Sequence, residues 1–485
     1  MDSQLLSECE LEPLAYSGAI QSFGAAILID RDRLITHVSA NLADYFPDQD
    51  AWRPGRPLPG DLDRFLLSLG PAVGSRWFLA SAIKAGTGWI ELALTRNPEG
   101  RIVIEITPAV PFSPPGRLVP FHAIKSGGEL ETLQREIVDR VFEMTGFQRV
   151  MYYHFLEDGD GEVIAEKRDP SVYGSYLGLR YPASDIPQIA RDLYLLNPWR
   201  LIADADADPV PLLSLGSTVP DLSYSHLRSA SPVHRMYLKN MGVRASLSFP
   251  LVYARQLVGL IACHHASPMV VSPSLLAAAA KEVGNYSLSL STYLLHEKMQ
   301  LVEGIARSFH AVKTALEERP VISAAWPQIS EWMLREFRAD GAWIQVGDQC
   351  VVGGVVPSQE IRNAIHGRIS AAAPGTVWVS HSFAAQVPEA CALPLAGFIG
   401  IQIRIGQKSN GFLVVARREY IHQVAWGGNP EKPLEPCDGP VKIAPRQSFE
   451  KWVQMRKGHC RPWKRRETLI ALSLRNFLLH LPLQF

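Results

Sequence analysis

Between Ser274 and Glu318 the apolar side chains Val283, Tyr286, Leu290 and Tyr293, then Leu301, Ile305, Phe309, Val312 and Leu316, recur at three- and four-residue steps. This spacing predicts one long helix, well past the roughly 25 residues at which helices bridge domains or pack on a partner helix. The alternative, two helices broken near Gly304, stays open at this point. The 485 residues are also too many for one hydrophobic core, and roughly 100–200 residues per domain gives about three.

From Ile20 to about Thr107, short β-rich runs at 25–29, 35–38, 90–94 and 102–106 alternate with short helical patterns, as in a small mixed α/β domain. Five prolines between Pro108 and Pro120 mark a linker and put a boundary near residue 120. The next domain, 121–300, opens with a helical pattern at 129–144. Two strand pairs follow, 149–155 with 162–167 and 245–252 with 256–264. A third domain, 301–485, repeats that outline with a helix at 329–337, strands near 343–346, 376–380, 397–403 and 412–416, and a closing helix at 465–481. Residues 426–463 interrupt it with an insertion rich in Pro, Gly, Trp and basic residues; its size and weak core-like patterning mark it as functional. The fold class is therefore α+β: three mixed α/β domains with central antiparallel sheets, joined by a long helical spine.

Lys+Arg and Asp+Glu are equal at 48 each, so no global field steers the chain towards nucleic acid or a membrane. The longest weakly charged stretch, 390–405, is broken by Pro394 and Gln402 and falls short of the roughly 20 residues that span a bilayer. The start, Met1-Asp2-Ser3-Gln4, lacks the basic and apolar runs of a secretory signal, which predicts a soluble, cytoplasmic protein. Six scattered cysteines, Cys9, Cys263, Cys350, Cys391, Cys437 and Cys460, show no Cys-x-x-Cys spacing and argue against a disulfide framework or a structural metal site. No nucleophile, base and oxyanion-hole motifs converge as in a hydrolase or transferase.

Tyr181-Pro-Ala-Ser-Asp-Ile-Pro-Gln188 precedes a helical run at 194–200. Taken alone, Asp185 reads as a helix N-cap with Gln188 at N3 and Pro187 in the first turn. The Pro-Ala-Ser-Asp-Ile-Pro run also closely resembles the signature of phytochrome chromophore domains, and further matches follow in that family's order. They are Arg228-Ser-Ala-Ser-Pro-Val-His234-Arg-Met-Tyr237-Leu-Lys-Asn-Met-Gly-Val243, Ser246-Leu-Ser248, Cys263-His264-His265, Trp426-Gly-Gly428 and Pro445-Arg446-Gln-Ser448-Phe449. The chain thus resembles a bacterial phytochrome photosensory core. The implied parts are a PAS domain with an attachment segment at 1–120, a GAF bilin-binding domain at 121–300, and a PHY domain at 301–485 whose tongue is about 426–463.

A bilin is an extended conjugated ligand carrying two propionates, and two carboxylates in a pocket require cations and hydroxyls because an unpaired buried charge is costly. The resemblance assigns Arg200, Arg228, Tyr194, Ser231, Ser246 and Ser248 to them. Asp185, through its backbone carbonyl, and His234 match the family's positions beside the pyrrole nitrogens. Tyr153, Tyr181 and Tyr237 fall where an aromatic sleeve surrounds the rotating D ring, with His264 at the partner of its carbonyl and Ile186 and Met151 along the pigment. Covalent attachment resembles the bacterial subtype, in which an upstream cysteine attacks a vinyl group of the A ring, and Cys9 is the only N-terminal thiol. Glu8, Glu10 and Glu12 would suppress its thiolate, so its reactivity has to come from proximity. The usual Pro-Gly and Pro-His-Gly around Ala19-Ile20-Gln21 are Ser17-Gly18 and Ser22-Phe23-Gly24 here.

In the tongue, Arg446 is expected to pair with Asp185 in one state and Ser448 to replace it in the other, with Trp452 in the same switch segment. The resemblance therefore implies a red/far-red photoreceptor that holds biliverdin by a thioether and has no catalysis beyond that self-attachment. It further implies a homodimer through the long helices, signalling to an output effector such as a histidine kinase or response regulator. The alternative is a PAS/GAF regulatory module that binds haem or a nucleotide without photochemistry.

Overall fold

The apolar run from Ala25 to Ile29 forms a strand with all five residues buried, which a sheet permits only when both faces are covered. The structure is a computed structural model that describes residues 12–48, 50–79, 83–85, 88–110, 123–319, 321–372, 376–383, 394–405, 409–430, 434–435, 442–443 and 449–479. Cys9, Arg446 and Ser448 lie outside the described residues. The chain forms two compact units, Met1–Leu294 with Ala425–Trp452, and Leu295–Val424 with Val453–Phe485.

In the first unit, strands β1 (Ala19–Ile20), β2 (Ala25–Ile29), β3 (Ile35–Ser39), β4 (Arg76–Phe78), β5 (Ile83–Ala85), β6 (Gly88–Arg96) and β7 (Ile102–Pro108) build one antiparallel sheet. Strands β8 (Arg149–Phe155), β9 (Gly161–Arg168), β10 (Arg180–Tyr181), β11 (Arg200–Ile202), β13 (Ala245–Tyr253) and β14 (Gln256–His265) build another, while β12 (Val210–Ser214) returns to the first. The orders are β1-β12-β3-β2-β7-β6-β4, with β5 also on β6, and β11-β13-β14-β8-β9-β10, extended in parallel by the pairing of Arg180 with Trp426. One face of the first sheet packs Ile27, Ile29 and Ile104 against Trp52, Leu62 and Leu66; the other sets Ala26, Leu28 and Val103 against Ile20, Leu222 and Leu227.

Residues 14–20 run between β12 and the segment 222–229. Ala15 O accepts from Leu222 N at 2.8 Å, Gly18 O from Leu212 N at 3.0 Å and Ala19 O from Ser229 N at 3.1 Å. Gln21 completes the seam by donating to Leu201 O at 2.8 Å and accepting from Ala203 N at 3.1 Å. Helix α1 (Gly127–Thr145) starts at Ser126, whose Oγ accepts from Glu129 N while Glu129 accepts from Lys125 N, and it ends at Gly146 with φ 68°. Its Ile137, Val138 and Val141 cover one face of the second sheet, together with Val283, Tyr286 and Leu290 from the start of a long helix. Helices α2 (Gln188–Leu196) and α3 (Pro232–Asn240) belong to the opposite side.

That long helix, α4 (Pro273–Glu318), is continuous over 46 residues, about 69 Å at 1.5 Å per residue. Gly304, half-buried, sits inside it with no neighbouring atom within 4 Å of where a Cβ would stand; a single glycine costs about 1 kcal/mol and does not break a helix supported elsewhere. The second unit sandwiches a sheet of order β16-β15-β19-β18-β17 between helices. Its strands are β15 (Gly341–Val346), β16 (Gln349–Gly354), β17 (Trp378–Ser380), β18 (Leu395–Ile405) and β19 (Ser409–Arg418). Ile344, Ile399 and Val415 meet the end of α4, α5 (Ile322–Glu336) and α7 (Arg465–Leu479), and Trp343, Phe398 and Val414 meet α6 (Gln359–Ala371). Within the insertion Leu434–Glu435 pairs antiparallel with Lys442–Ile443. No described helix is long and apolar enough to cross a membrane.

The structure corrects three readings of the sequence. The helix expected at 194–200 is α2, and Arg200 begins β11 instead, because Pro198 forces Asn197 to an extended φ −124°, ψ 132°. Asp185 is not an N-cap: it ends a 3-10 turn at Ala183–Asp185, Ile186 is extended before Pro187, and Pro187 itself occupies the cap of α2. The helix read from residue 329 begins at Ile322, since buried Ala325, Trp326, Ile329 and Trp332 hold it together across Pro327.

The second unit's most exacting polar contact is Arg417, 3% exposed, which donates to Phe337 O, Arg461 O and Pro462 O, pairs with Glu467 at 3.0 Å and lies 3.8 Å over the Trp463 ring. Arg417→Met strands the Glu467 carboxylate, so a loss of about 3–5 kcal/mol is expected in the urea transition reported by tryptophan fluorescence.

Candidate functional site

Strand alternation sends Tyr152, Ile261 and Cys263 into the helix-covered core and Met151, Tyr153, Leu260, Ala262 and His264 to the opposite face. Cross-strand register aligns Arg200 with Ser248, Ser248 with Ala262 and Ala262 with Met151 in one rung, and Ile202 with Ser246 and Ser246 with His264 in the next. Facing these rungs, α2, α3, the 183–185 turn and the segment 225–231 enclose a cavity of about 230 Å³. It is lined by Met151, Tyr153, Tyr181, Asp185, Ile186, Tyr194, Arg200, Arg228, Ser231, His234, Tyr237, Ser246, Ser248 and His264, so these sequence-selected residues come together from eight separate segments. Trp452 is 38% exposed and does not line it.

The cavity is electropositive at one end. Arg228 is 6% exposed, and Nη1 has no hydrogen-bond partner among the described residues. Among the described residues, Arg200 donates only to the carbonyls of His226, Arg228 and Ser229, at 3.4, 2.7 and 3.1 Å. Neither arginine forms an ion pair among the described residues. Burial, and then Arg200 beside it, pull the Arg228 guanidinium down to about 9, and burial brings Arg200 to about 10. Burial raises the Tyr194 hydroxyl, which also bonds Ser248. Ser231 Oγ donates to Glu12 at 2.7 Å.

At the other end the walls are aromatic. Tyr153 and Tyr181 have ring centroids 6.0 Å apart, Tyr237 lies 6.1 Å from His234, and Phe449 from the insertion meets Tyr237 edge-on at 4.8 Å. Tyr237 donates to the Asp185 carboxylate at 3.0 Å. Burial lowers His234 to about 4 and His264 to about 3, so both imidazoles are neutral at pH 7. His264 Nδ1 is buried without a described partner. The arrangement can hold an extended, flat, doubly anionic ligand, with its carboxylates on the guanidiniums and its body among tyrosines and neutral imidazoles.

Comparison with known proteins yields the same grouping. The GAF domain description matches residues 129–285, and the Phytochrome region description matches 311–484. A Bacteriophytochrome of Pseudomonas aeruginosa is 29% identical over 98% of this chain, and a phytochrome-like protein of Synechocystis is 31% identical over 98% of it. Cyanobacterial phytochrome B of Nostoc is 36% identical over 76%. A bacteriophytochrome crystal structure from the photosynthetic bacterium R. palustris covers 98% of this chain and 99% of its own, at 25% identity and TM-score 0.74. The phytochrome photosensory core module of Stigmatella aurantiaca covers 97% of each at 28% and 0.75. The chain belongs to the bacteriophytochrome family of photosensory cores.

As such a core it is a light-sensing module, and its family implies a bilin chromophore. The chain spans 50% to 66% of the length of these curated relatives. The structure adds wall residues that the motifs did not mark: Glu12, Tyr176, Asn197, Trp199 and Ser225. A buried pair just outside, Arg149 with Glu166 at 2.8 Å, stacks on Tyr176 at 3.9 Å and ties the 173–176 loop through Tyr173 O and Gly174 O. No local pattern announces these residues, because each depends on a contact between distant segments.

His226, His234 and His264 are all held below the ordinary 6.5, first by burial. In the unfolded chain they titrate near 6.5, so below that pH the unfolded state binds more protons and the ligand-free fold loses stability as pH falls towards 4. The expected slope is about 1.4 kcal/mol per pH unit for each imidazole. In His264→Gln it should fall by one imidazole's share, as read from urea midpoints between pH 6.5 and 5.

Proposed function

We propose that the photosensory core binds biliverdin in this cavity, attaches it covalently through Cys9, and switches between two states under red and far-red light. The observation that carries this reading is the pair of guanidiniums, half-buried Arg200 and buried Arg228, that face an aromatic-walled cavity and form no ion pair among the described residues. Two propionates on a flat conjugated body fit that charge and that wall.

When bound, the pigment supplies red-light absorption and a terminal D ring that turns about its methine bridge. Arg200 and Arg228, aided by Tyr194, Ser231, Ser246 and Ser248, hold the propionates. Asp185, through its backbone carbonyl, and neutral His234 accept hydrogen bonds from the pyrrole nitrogens. Tyr153, Tyr181 and Tyr237 surround the D ring, His264 donates to its carbonyl, and Ile186 and Met151 pack along the body. The Cys9 thiol would be the attachment point, its sulfur bonding one carbon of an A-ring vinyl group as the C=C π bond opens and its proton going to the other carbon.

In this reading residues 1–120, 121–300 and 301–485 act as PAS, GAF and PHY domains, and the tongue at about 426–463 responds at Asp185 through Arg446 and Ser448, with Trp452 in the same segment. The exposed Leu295, Met299 and Val302 on α4, at i, i+4 and i+7, suit a matching helix of a second copy. The dimer passes its change to an output effector, a histidine kinase or a response regulator, in the cytoplasm.

Apoprotein mixed with biliverdin should give a coloured adduct that survives acid urea, and Cys9→Ser should lose it; colour that washes out of both refutes the covalent assignment. Asp185→Ala and His264→Ala are expected to keep the pigment and to cut the red-minus-dark absorbance change several-fold. Full photoconversion in both variants would mean that neither residue guards the turning ring.

A further inference from the structure

We propose that Glu105, from β7 of the first sheet, is a positioning residue for the anion clamp: it holds the 225–228 turn so that Arg228 faces a ligand carboxylate. This rests on reading the cavity as a bilin dicarboxylate site. Along β7, Ile102, Ile104 and Ile106 enter the core beneath, and alternation turns Val103 and Glu105 the other way. Glu105 is nevertheless only 2% exposed, because the 222–229 segment covers it.

A carboxylate in that position persists only with donors. Oε1 accepts from Ser225 Oγ at 2.5 Å and from Leu227 N at 2.8 Å, and the same Ser225 Oγ accepts from Arg228 N at 3.1 Å. The turn is thereby strung on one carboxylate oxygen, with Arg228 at its end. The guanidinium of Arg228 has no equivalent anchor, since Nη1 finds no partner among the described residues.

The same sheet supplies the matching cation. Arg76 on β4 donates to Leu196 O at 2.8 Å and Asn197 Oδ1 at 2.5 Å, fixing the end of α2, and it attracts Glu105 electrostatically. Of the three guanidiniums near Glu105 only Arg200 and Arg228 line the cavity among the described residues, one for each propionate. Oε2 has no hydrogen-bond partner among the described residues, and Glu105 borders an almost wholly apolar chamber of about 20 Å³ with Thr107, Trp199 and His226.

The test compares equilibrium binding of biliverdin and of its dimethyl ester, in the full chain carrying Cys9→Ser so that both bind reversibly. The parent should prefer the diacid. Glu105→Leu should cut that preference by at least about ten-fold, while Glu105→Gln, which keeps an acceptor for Ser225 and Leu227, should stay within about three-fold of the parent and Ser225→Ala should fall between. A preference unchanged in Glu105→Leu, with both ligands weakened alike, overturns the proposal, and so does a Gln variant as impaired as the Leu variant. Should Glu105→Leu fail to fold, Ser225→Ala decides: an unaltered ratio there sinks the idea. Failure of the underlying site reading shows separately, as a parent chain that binds neither compound or does not distinguish them.

Discussion

Two guanidinium groups, buried Arg228 and half-buried Arg200, stand in the first unit with no ion pair among the described residues, and the surrounding architecture serves to tolerate them. Arg200 is met by three backbone carbonyls, and Arg228 lies in a turn whose backbone is tied to Glu105. Such a site is stable only because the surrounding sheet is well packed: Leu247, Phe249, Ile261 and Cys263, on the other side of the same strands, are all fully buried. An apolar layer on one side thus supports an electrostatically unsatisfied layer on the other. The same imbalance is what a doubly anionic ligand would relieve, so fold stability and ligand affinity draw on one set of charges.

This division explains which parts of the architecture were legible in the sequence. The runs at 25–29, 102–106, 149–155 and 245–252 form strands because period-two alternation or continuous apolar character reflects cover on one or both faces. The spine was legible too, since its three- and four-residue steps persist over the whole of α4. Readings failed where one residue's backbone overrode the pattern. Pro198 and Pro187 each forced the preceding residue into extended geometry, ending α2 early and taking the helix cap from Asp185. The short elements β1 and β4, at the two ends of the first sheet, carried too few residues to show a period.

The cavity residues were found by motif order, and the structure supplies a physical reason for their grouping. Ser246, Ser248 and His264 point the same way because they occupy alternate positions on paired strands, and Arg200 joins them through its pairing with Ser248. Glu105 illustrates the opposite limit. On β7 it occupies the position that alternation assigns to solvent, and only the segment 222–229, more than a hundred residues later, turns that face into an interior. No window of sequence contains both partners.

The aromatic end of the cavity is built on a similar long-range dependence. A Cβ at Gly161 would stand 1.9 Å from the Tyr153 ring, and one at Gly427 would stand 2.6 Å from the Tyr181 ring, so each tyrosine lies over a strand whose side chain has been omitted. Gly427 belongs to the inserted segment, as do Trp426, which pairs with Arg180, and Phe449, which meets Tyr237; Gly428 N and Glu450 O then join the two flanks of the insertion at 2.9 Å. The described residues of the insertion therefore do not line the cavity but back two of its wall tyrosines, Tyr181 and Tyr237. Tyr181 cannot swing towards Gly427 without moving that backbone, and Phe449 cannot shift without breaking its edge-on contact with Tyr237. In a close-packed wall, a displacement of either tyrosine ring meets the Gly427 backbone or the Phe449 ring of the insertion instead of loose side chains.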